Sequence, residues 1–216
     1  CPEIKRLFSD GRITYQSETS VMAALAVAPK EGSMILDLCS APGGKAVFLA
    51  ELDKGGAVLA CDVHEHRVEL VKAYAKRMGV TNVQTVKLDA RKFYKNFENR
   101  FDYVLCDVPC SGLGVVSSRP DILLNKKPED ILELTEIQKD ILSNAAKYLK
   151  VGGALVYSTC TVIKEENIQQ VEKFLREHPN FSLDKIDLPQ NNDGTLQILP
   201  SDKLDGFFIA RMVKHA

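Results

Sequence analysis

Two apolar runs of this chain each end in a cysteine set among polar or turn residues. "CDVPCSG" (106–112) places Cys110 behind Asp107, Val108 and Pro109, and "YSTCT" (157–161) places Cys160 behind Ser158 and Thr159. A thiolate is a strong nucleophile, but a free cysteine ionises near pH 8.5, so a reactive one needs neighbours that favour its charged form. The commonest fate of a free cysteine is that of a small buried hydrophobe, and that suits Cys39, Cys61 and Cys106, in or beside apolar runs. For Cys110 and Cys160 the context favours chemistry, with sulfur used twice in one site. Zinc is not expected, since no two cysteines have C-x₂-C spacing and no H-x₃₋₅-H pair occurs. His64 and His66 read as surface residues at a helix start.

Acids recur at the ends of strand-like runs: Asp37, Asp62, Asp89 and Asp107. The first run opens into "CSAPGGK" (39–45), whose glycines let backbone approach a ligand closely and aim amides at it. The loop is neither the dinucleotide pattern G-x-G-x-x-G nor a P-loop. An acid at the end of the second strand suits a ribose diol. Loop and acid together predict a nucleoside-containing cofactor without a long phosphate chain. A lone strand-end Asp is often a helix cap and a lone "PGG" often a turn, but four acids in register with successive runs are poorly explained that way.

The elements that must position these residues alternate. "SMILDL" (33–38), "AVLACDV" (57–63), "VQTVKLD" (83–89), "YVLCDV" (103–108) and "ALVYST" (154–159) are nearly continuous apolar runs, as expected of buried parallel strands. Between them "GKAVFLAELDK" (44–54), "HEHRVELVKAYAKRMG" (64–79), a long segment near 128–150 and "KEENIQQVEKFLREH" (164–178) carry apolar residues at helical spacing. Val68, Val71, Tyr74, Ala75 and Met78 make one such face. Pro128 suits the start of its helix, and Gly152 and Gly153 its end. Strands separated by helices mean βαβ units and an α/β fold, a mostly parallel sheet with helices on both faces. "FSLDKIDL" (181–188) and "GFFIARMV" (206–213) suggest two closing strands at an antiparallel edge, and 189–202 reads as a loop. Residues 1–32 read as a lead-in with a helix from Ser17 to Val27, and 33–216 as one domain.

The chain has 216 residues, 45% hydrophobic and 26% charged, enough for one domain burying roughly 70–75% of its unfolded surface. No apolar run approaches the ~20 residues of a membrane span. Six cysteines without a framework spacing are expected to be free thiols in a reducing cytoplasm. Residue 1 is Cys1 rather than Met, so a piece of a longer or processed chain is expected. Net charge is −1, whereas proteins that grip nucleic acid by its phosphates usually carry clear positive excess.

"LDLCSAPGGK" (36–45), Asp62, "LDA" (88–90), "CDVPCSG" and "STC" (158–160), in this order, resemble the RNA (cytosine-5) methyltransferase family. "GRITYQSETS" (11–20) and "DGFFIARMVK" (205–214) extend the resemblance over essentially the whole chain, and "SSRPDI" (117–122) and "KEEN" (164–167) are most similar to the bacterial 16S ribosomal RNA Sun/Fmu group. The resemblance implies a Rossmann-like, seven-stranded methyltransferase fold that uses S-adenosyl-L-methionine, acting on RNA as a cytoplasmic monomer without a metal or membrane. Members of that group carry a further amino-terminal RNA-binding domain resembling the antitermination factor NusB. On this resemblance Cys39, Ser40, Ala41, Pro42, Gly43, Gly44 and Lys45 surround the cofactor's methionine part, Asp62 holds its ribose, Asp89 sits near its adenine, and Asp107 lies between cofactor and base. Cys160 is then the nucleophile and Cys110 assists product release.

The chemistry explains the residue types. Carbon 5 of cytosine is a poor nucleophile, and a thiolate adding to carbon 6 makes it enolate-like, one hard step becoming two easier ones. Asp107, contacting the ring amine and nitrogen 3, favours protonation there. Lys45 positions the base or Asp107, Pro109 stiffens the turn that aims Cys110, and a helix amino terminus after Cys160 is expected to help lower its pKa. Lys87, Arg91, Lys92, Lys95 and Arg100, and nearer the site Arg119, Lys126 and Lys127, either track an RNA backbone or form a solvated face. Phe207 and Phe208 read as strand core. The rivals are a transfer RNA enzyme of the same chemistry, a non-catalytic methyltransferase-like RNA-binding module and an amino-group methyltransferase. The second would tolerate loss of Cys160 or Asp107, and the third would show Pro-Pro-aromatic where this chain has Val-Pro-Cys.

Overall fold

Each strand run is continuous in apolar residues because successive side chains enter two different cores. In a computed structural model, which describes residues 2–125, 127–190 and 192–216, the strands are β1 Met34–Asp37, β2 Ala57–Asp62, β3 Val83–Lys87, β4 Phe101–Asp107, β5 Leu149–Thr159, β6 Phe181–Leu183, β7 Thr195–Ile198 and β8 Phe207–Lys214. The helices are α1 Pro2–Ser9, α2 Glu18–Leu25, α3 Gly44–Leu52, α4 Glu65–Met78, α5 Ile122–Asn125, α6 Pro128–Tyr148 and α7 Ile168–Glu177. On one face Leu36, Val104, Cys106, Leu155 and Tyr157 pack with Ile141, Leu142 and Ala145 of α6 and Val171 and Phe174 of α7. On the other, their chain neighbours Ile35, Tyr103, Leu105 and Val156 pack with Met22 of α2, Leu49 of α3 and Val71 of α4. Helices therefore cover both faces, as parallel strands require. Within α4, Val68, Val71 and Ala75 are buried, while Tyr74 and Met78 are only partly so.

The strand order is β3-β2-β1-β4-β5-β8-β6, with β7 also on β8. β1 to β5 are parallel, and β8 runs antiparallel to β5. Two expectations change here. The segment 189–202 is not all loop, because Thr195–Ile198 forms β7. β6 pairs with Met212–Lys214 of β8 and β7 with Phe207–Ala210. Among the described residues eight strands thus fill seven positions, and the antiparallel strand lies one position in from the edge. Gly152 and Gly153 do not close α6, which ends at Tyr148 and runs directly into β5. They sit at a shift in the β4–β5 register, Gly152 at φ +79° and Gly153 so close that an added Cβ would lie 2.6 Å from the Asp102 carbonyl oxygen.

The lead-in is pinned by two arginines. Arg77 of α4 donates to the Phe8 and Ile13 carbonyls at 2.8 and 3.2 Å and lies over the Phe8 ring, capturing α1, a helix the sequence reading did not anticipate. Arg211 of β8 donates to the Ala26 and Val27 carbonyls, both at 2.7 Å, and pairs with Asp184 at 2.7 Å. The expected helix at 17–27 is α2, with the Ser17 hydroxyl accepting from the Ser20 amide. Among the described residues no helix is long and apolar enough to cross a membrane. Arg211→Met keeps the apolar stem but strands two carbonyls and a carboxylate. It is expected to lower stability by about 2–4 kcal/mol, read as a fall in the urea midpoint at unchanged slope.

Candidate active site

Parallel strands put their carboxyl ends on one edge, and the order reverses between β1 and β4, where α/β folds hold ligands. Asp37, Asp62 and Asp107 end β1, β2 and β4, and Asp89 lies just beyond β3. "CSAPGGK" leaves β1 at this point. It is folded back by hydrogen bonds from Ser40 N to the Cys61 carbonyl and from Gly43 N to the Ser40 carbonyl, both 2.8 Å, and contains a cis Ala41–Pro42 peptide. Gly43 has φ +113°, and an added Cβ would sit 3.1 Å from Val71 Cα, so no other residue suits it. Asp62 accepts from the His64 amide at 3.1 Å and pairs with Arg67 at 3.4 Å, and Arg67 also reaches the Ala41 carbonyl at 3.3 Å. Asp89 is engaged by Arg91 through three bonds of 2.9–3.1 Å, which hold its carboxyl below the usual range.

The Lys45 ammonium meets Asp107 at 2.6 Å, with both side chains mostly buried, and the Ser158 hydroxyl donates to the other Asp107 oxygen at 2.8 Å. Burial alone would lower the Lys45 pKa, but Asp107, Asp37 and Cys160 more than offset it and the net shift is upward. Cys110 and Cys160 lie with their sulfurs 3.2 Å apart. Their thiols are driven in opposite directions. Cys160 is held below its ordinary value by a hydrogen bond from Cys110, with help from Lys45 and against burial and Asp107. Cys110 is pushed well up by that same bond, by burial and by Glu166. The expected helix terminus behind Cys160 is not there: α7 begins at Ile168, and the field comes from Cys110 and Lys45 instead.

Cys39, Cys61 and Cys106 all have thiols raised by burial, as inert cysteines do. Phe207 and Phe208 are buried, with the Phe207 ring 5.9 Å from the Lys45 nitrogen. Among the described residues no group of three or more metal-ligating side chains gathers. The first basic cluster is partly neutralised, Arg91 by Asp89 and Lys95 by Glu98. Arg119 pairs with Asp121 at 3.7 Å, Lys127 is exposed, and Lys126 lies outside the described residues.

Sequence reasoning missed the polar cluster behind the sulfurs. Glu166 is fully buried and accepts from the Ser111 amide at 2.9 Å, the Ser111 hydroxyl at 2.5 Å and the Gln138 amide at 2.9 Å. Asn167, also fully buried, takes the Thr159 hydroxyl at 2.5 Å and donates to the Thr161 carbonyl at 2.9 Å. The one signal was "KEEN", whose acid and amide interrupt a helical pattern. Arg67 was missed as well, and only its place on the helix after Asp62 pointed to it.

The sequence profile described as 16S rRNA methyltransferase RsmB/F matches residues 24–213. The probable ribosomal RNA small subunit methyltransferase B of Bacillus subtilis is 45% identical over 96% of this chain and 49% of its own length. The ribosomal RNA small subunit methyltransferase B of Salmonella dublin is 38% identical over 96% of this chain and 48% of its own. The chain thus spans about half the length of the curated relatives it matches. A crystal structure of NSun6 from Pyrococcus horikoshii with SFG superposes with a TM-score of 0.85 at 32% identity, over 98% of this chain and 55% of that one. With its strand-end acids, glycine loop and paired sulfurs inside the matched span, the chain belongs to the 16S rRNA methyltransferase RsmB/F family.

Proposed function

We propose that this chain transfers a methyl group from S-adenosyl-L-methionine to carbon 5 of a cytosine in RNA, with 16S ribosomal RNA as substrate. The observation that carries the reading is the 3.2 Å contact of Cys110 and Cys160 beside the Lys45–Asp107 pair. The names of the relatives support the RNA class, and the NSun6 structure with SFG supports a small-molecule ligand for this fold. On the same reading residues 1–32 are a lead-in to a catalytic domain at 33–216. The protein is a cytoplasmic monomer, and its chemistry needs no metal.

The residues present fit the cofactor. Both oxygens of the fully buried Asp37 carboxylate lack a hydrogen-bond partner among the described residues, an expensive state for an acid with no ligand to serve. Residues 39–45 would cradle the methionine part, Asp62 the ribose and Asp89 the adenine side, with Asp107 between cofactor and base. When bound, S-adenosyl-L-methionine supplies an electrophilic methyl group on a sulfonium. Cys160 attacks carbon 6 of the cytosine in its thiolate form, and the ring electrons move toward nitrogen 3, where Asp107 supports protonation. Lys45 keeps Asp107 in place. On methylation nitrogen 3 gives back the proton it took up; water then carries off the carbon 5 proton, the electrons of that C–H bond re-form the 5,6 double bond, and Cys160 leaves as thiolate, its charge received by a hydrogen bond from the Cys110 thiol.

Asp37 also makes an unliganded signature. Its carboxyl is pushed up to about 7, chiefly by burial, with Asp107 adding and Lys45 opposing; the Ser40 hydroxyl tempers the rise from beyond hydrogen-bond reach. The folded value exceeds the unfolded 3.8, so its contribution to stability is complete below the unfolded value and is lost as pH rises through about 7. Removing the titration by Asp37→Asn is expected to flatten a fall of roughly 4 kcal/mol in the ligand-free protein. An unchanged pH slope in urea titrations would assign that fall to another group.

Calorimetry is expected to show one S-adenosyl-L-methionine site without RNA, weakened about tenfold by Asp62→Ala through a lost charge-assisted hydrogen bond. No heat or thermal shift in the native protein would sink the cofactor assignment. Cys160→Ser is expected to abolish turnover without a covalent RNA adduct. Cys110→Ala still attacks and methylates, then stalls with RNA attached, as a denaturing gel would reveal. A stable adduct from Cys160→Ser but not from Cys110→Ala would reverse the two roles.

A further inference from the structure

Two chemically identical thiols in contact need something to decide which of them keeps the proton. We propose that Glu166 is the positioning residue that decides it, holding the Cys110 loop in place and keeping the shared proton on Cys110, so that Cys160 is the sulfur left free to attack. This rests on the reading of Cys160 as nucleophile given above.

The argument begins with convergence. Ser111, next to Cys110, gives Glu166 both its amide and its hydroxyl, at 2.9 and 2.5 Å. Gln138 donates to Glu166 and to the Pro109 carbonyl, on the other side of Cys110, both at 2.9 Å. It leaves its own carbonyl oxygen without a partner among the described residues. Thr161, next to Cys160, meets the Ser111 hydroxyl at 2.8 Å. One carboxylate therefore fixes the residues flanking the first sulfur and, through one hydroxyl, a residue flanking the second. Two N–H groups and a hydroxyl donating to its oxygens are the pattern of an ionised carboxylate.

That charge is unneutralised: among the described residues no cation pairs with Glu166, and it is fully buried. The Lys45 ammonium acts on Cys160 instead. The groups around the pair are Glu166 and the buried Tyr157 on the Cys110 side, and Lys45 and Asp107 on the Cys160 side. Asp107 works against a Cys160 thiolate, but the Lys45 ammonium 2.6 Å away cancels much of its field. A negative charge behind one sulfur and a positive charge beside the other polarise the S–H···S contact from Cys110 toward Cys160. Burial makes that polarity count, since the pair has little water to screen it.

The test needs neither RNA nor cofactor, so it reads the thiols whatever becomes of the methylation assay. The full-length protein is alkylated with iodoacetamide across a pH series, and the labelled cysteines are assigned by peptide mass spectrometry. In the native protein Cys160 is expected to label at lower pH than Cys110. In Glu166→Gln the Cys110 midpoint is expected to fall by about one pH unit, a roughly tenfold gain in thiolate at a given pH. Glu166→Asp, which keeps the charge, is expected to retain the native order. A folded Glu166→Gln protein with unchanged midpoints would overturn the proposal even if Cys160→Ser is inactive. So would a native protein whose Cys110 labels first, or a folded Glu166→Asp protein with the order inverted. The last two decide the matter should Glu166→Gln fail to fold.

Discussion

The contact between two sulfurs 3.2 Å apart is the constraint the rest of the site serves. A thiol is a weak donor and a weak acceptor, so this contact cannot assemble two loops by itself. The backbone imposes it. Val108 N donates to the Ser158 carbonyl at 3.1 Å and Gly114 N to the Cys160 carbonyl at 3.0 Å, so hydrogen bonds clamp the chain on both sides of Cys110 to the strand-end segment bearing Cys160. Gly206 N then donates to the Gly114 carbonyl at 2.7 Å, and an added Cβ at Gly114 would lie 2.1 Å from the Gly206 carbonyl oxygen. Three segments distant in sequence thus meet backbone to backbone, where no side chain would fit. Pairing β4 directly with β5, Asp107 opposite Ser158, brings the loops within reach.

Electrostatics then separates like from like. A sheet edge that gathers Asp37, Asp62 and Asp107 in one place is negative, which is hostile to a thiolate. Lys45, in the first turn of α3, enters that edge from the glycine loop and offsets the acid nearest Cys160. The same loop therefore contributes twice, through its backbone beside β1 and through an ammonium that favours a sulfur anion there.

Much of this was readable in advance, for physical reasons. Strands buried on both faces must be apolar along their length, so β1, β2, β4 and β5 could be drawn from their nearly continuous apolar runs. The strand-end aspartates, the glycine loop and the paired cysteines stood out because each breaks an apolar run. What could not be read was long-range or locally ambiguous. Thr195–Ile198 carries too few apolar residues to look like a strand and becomes one only because β8 offers an unpaired flank. Gly152 and Gly153 imitate a helix terminus, and only the register of β5 against β4 reveals the bulge. Glu166 sits in a run of charged residues that reads as surface. Its burial depends on donors from Ser111 and Gln138, which sequence spacing does not bring together.

The divided outer edge bears on how the molecule behaves beside copies of itself. An unpaired strand flank is a template for another chain, and the hazard grows with its length and flatness. Here the outermost position is split between three residues of β6 and four of β7, joined by an irregular segment. Neither piece offers a long ladder for an incoming strand. At the opposite margin β3 is five residues long and ends on the exposed Lys87. A sheet seven positions wide thus finishes on both sides in short stubs, which discourages fibrous, edge-to-edge growth at the concentrations a cell maintains.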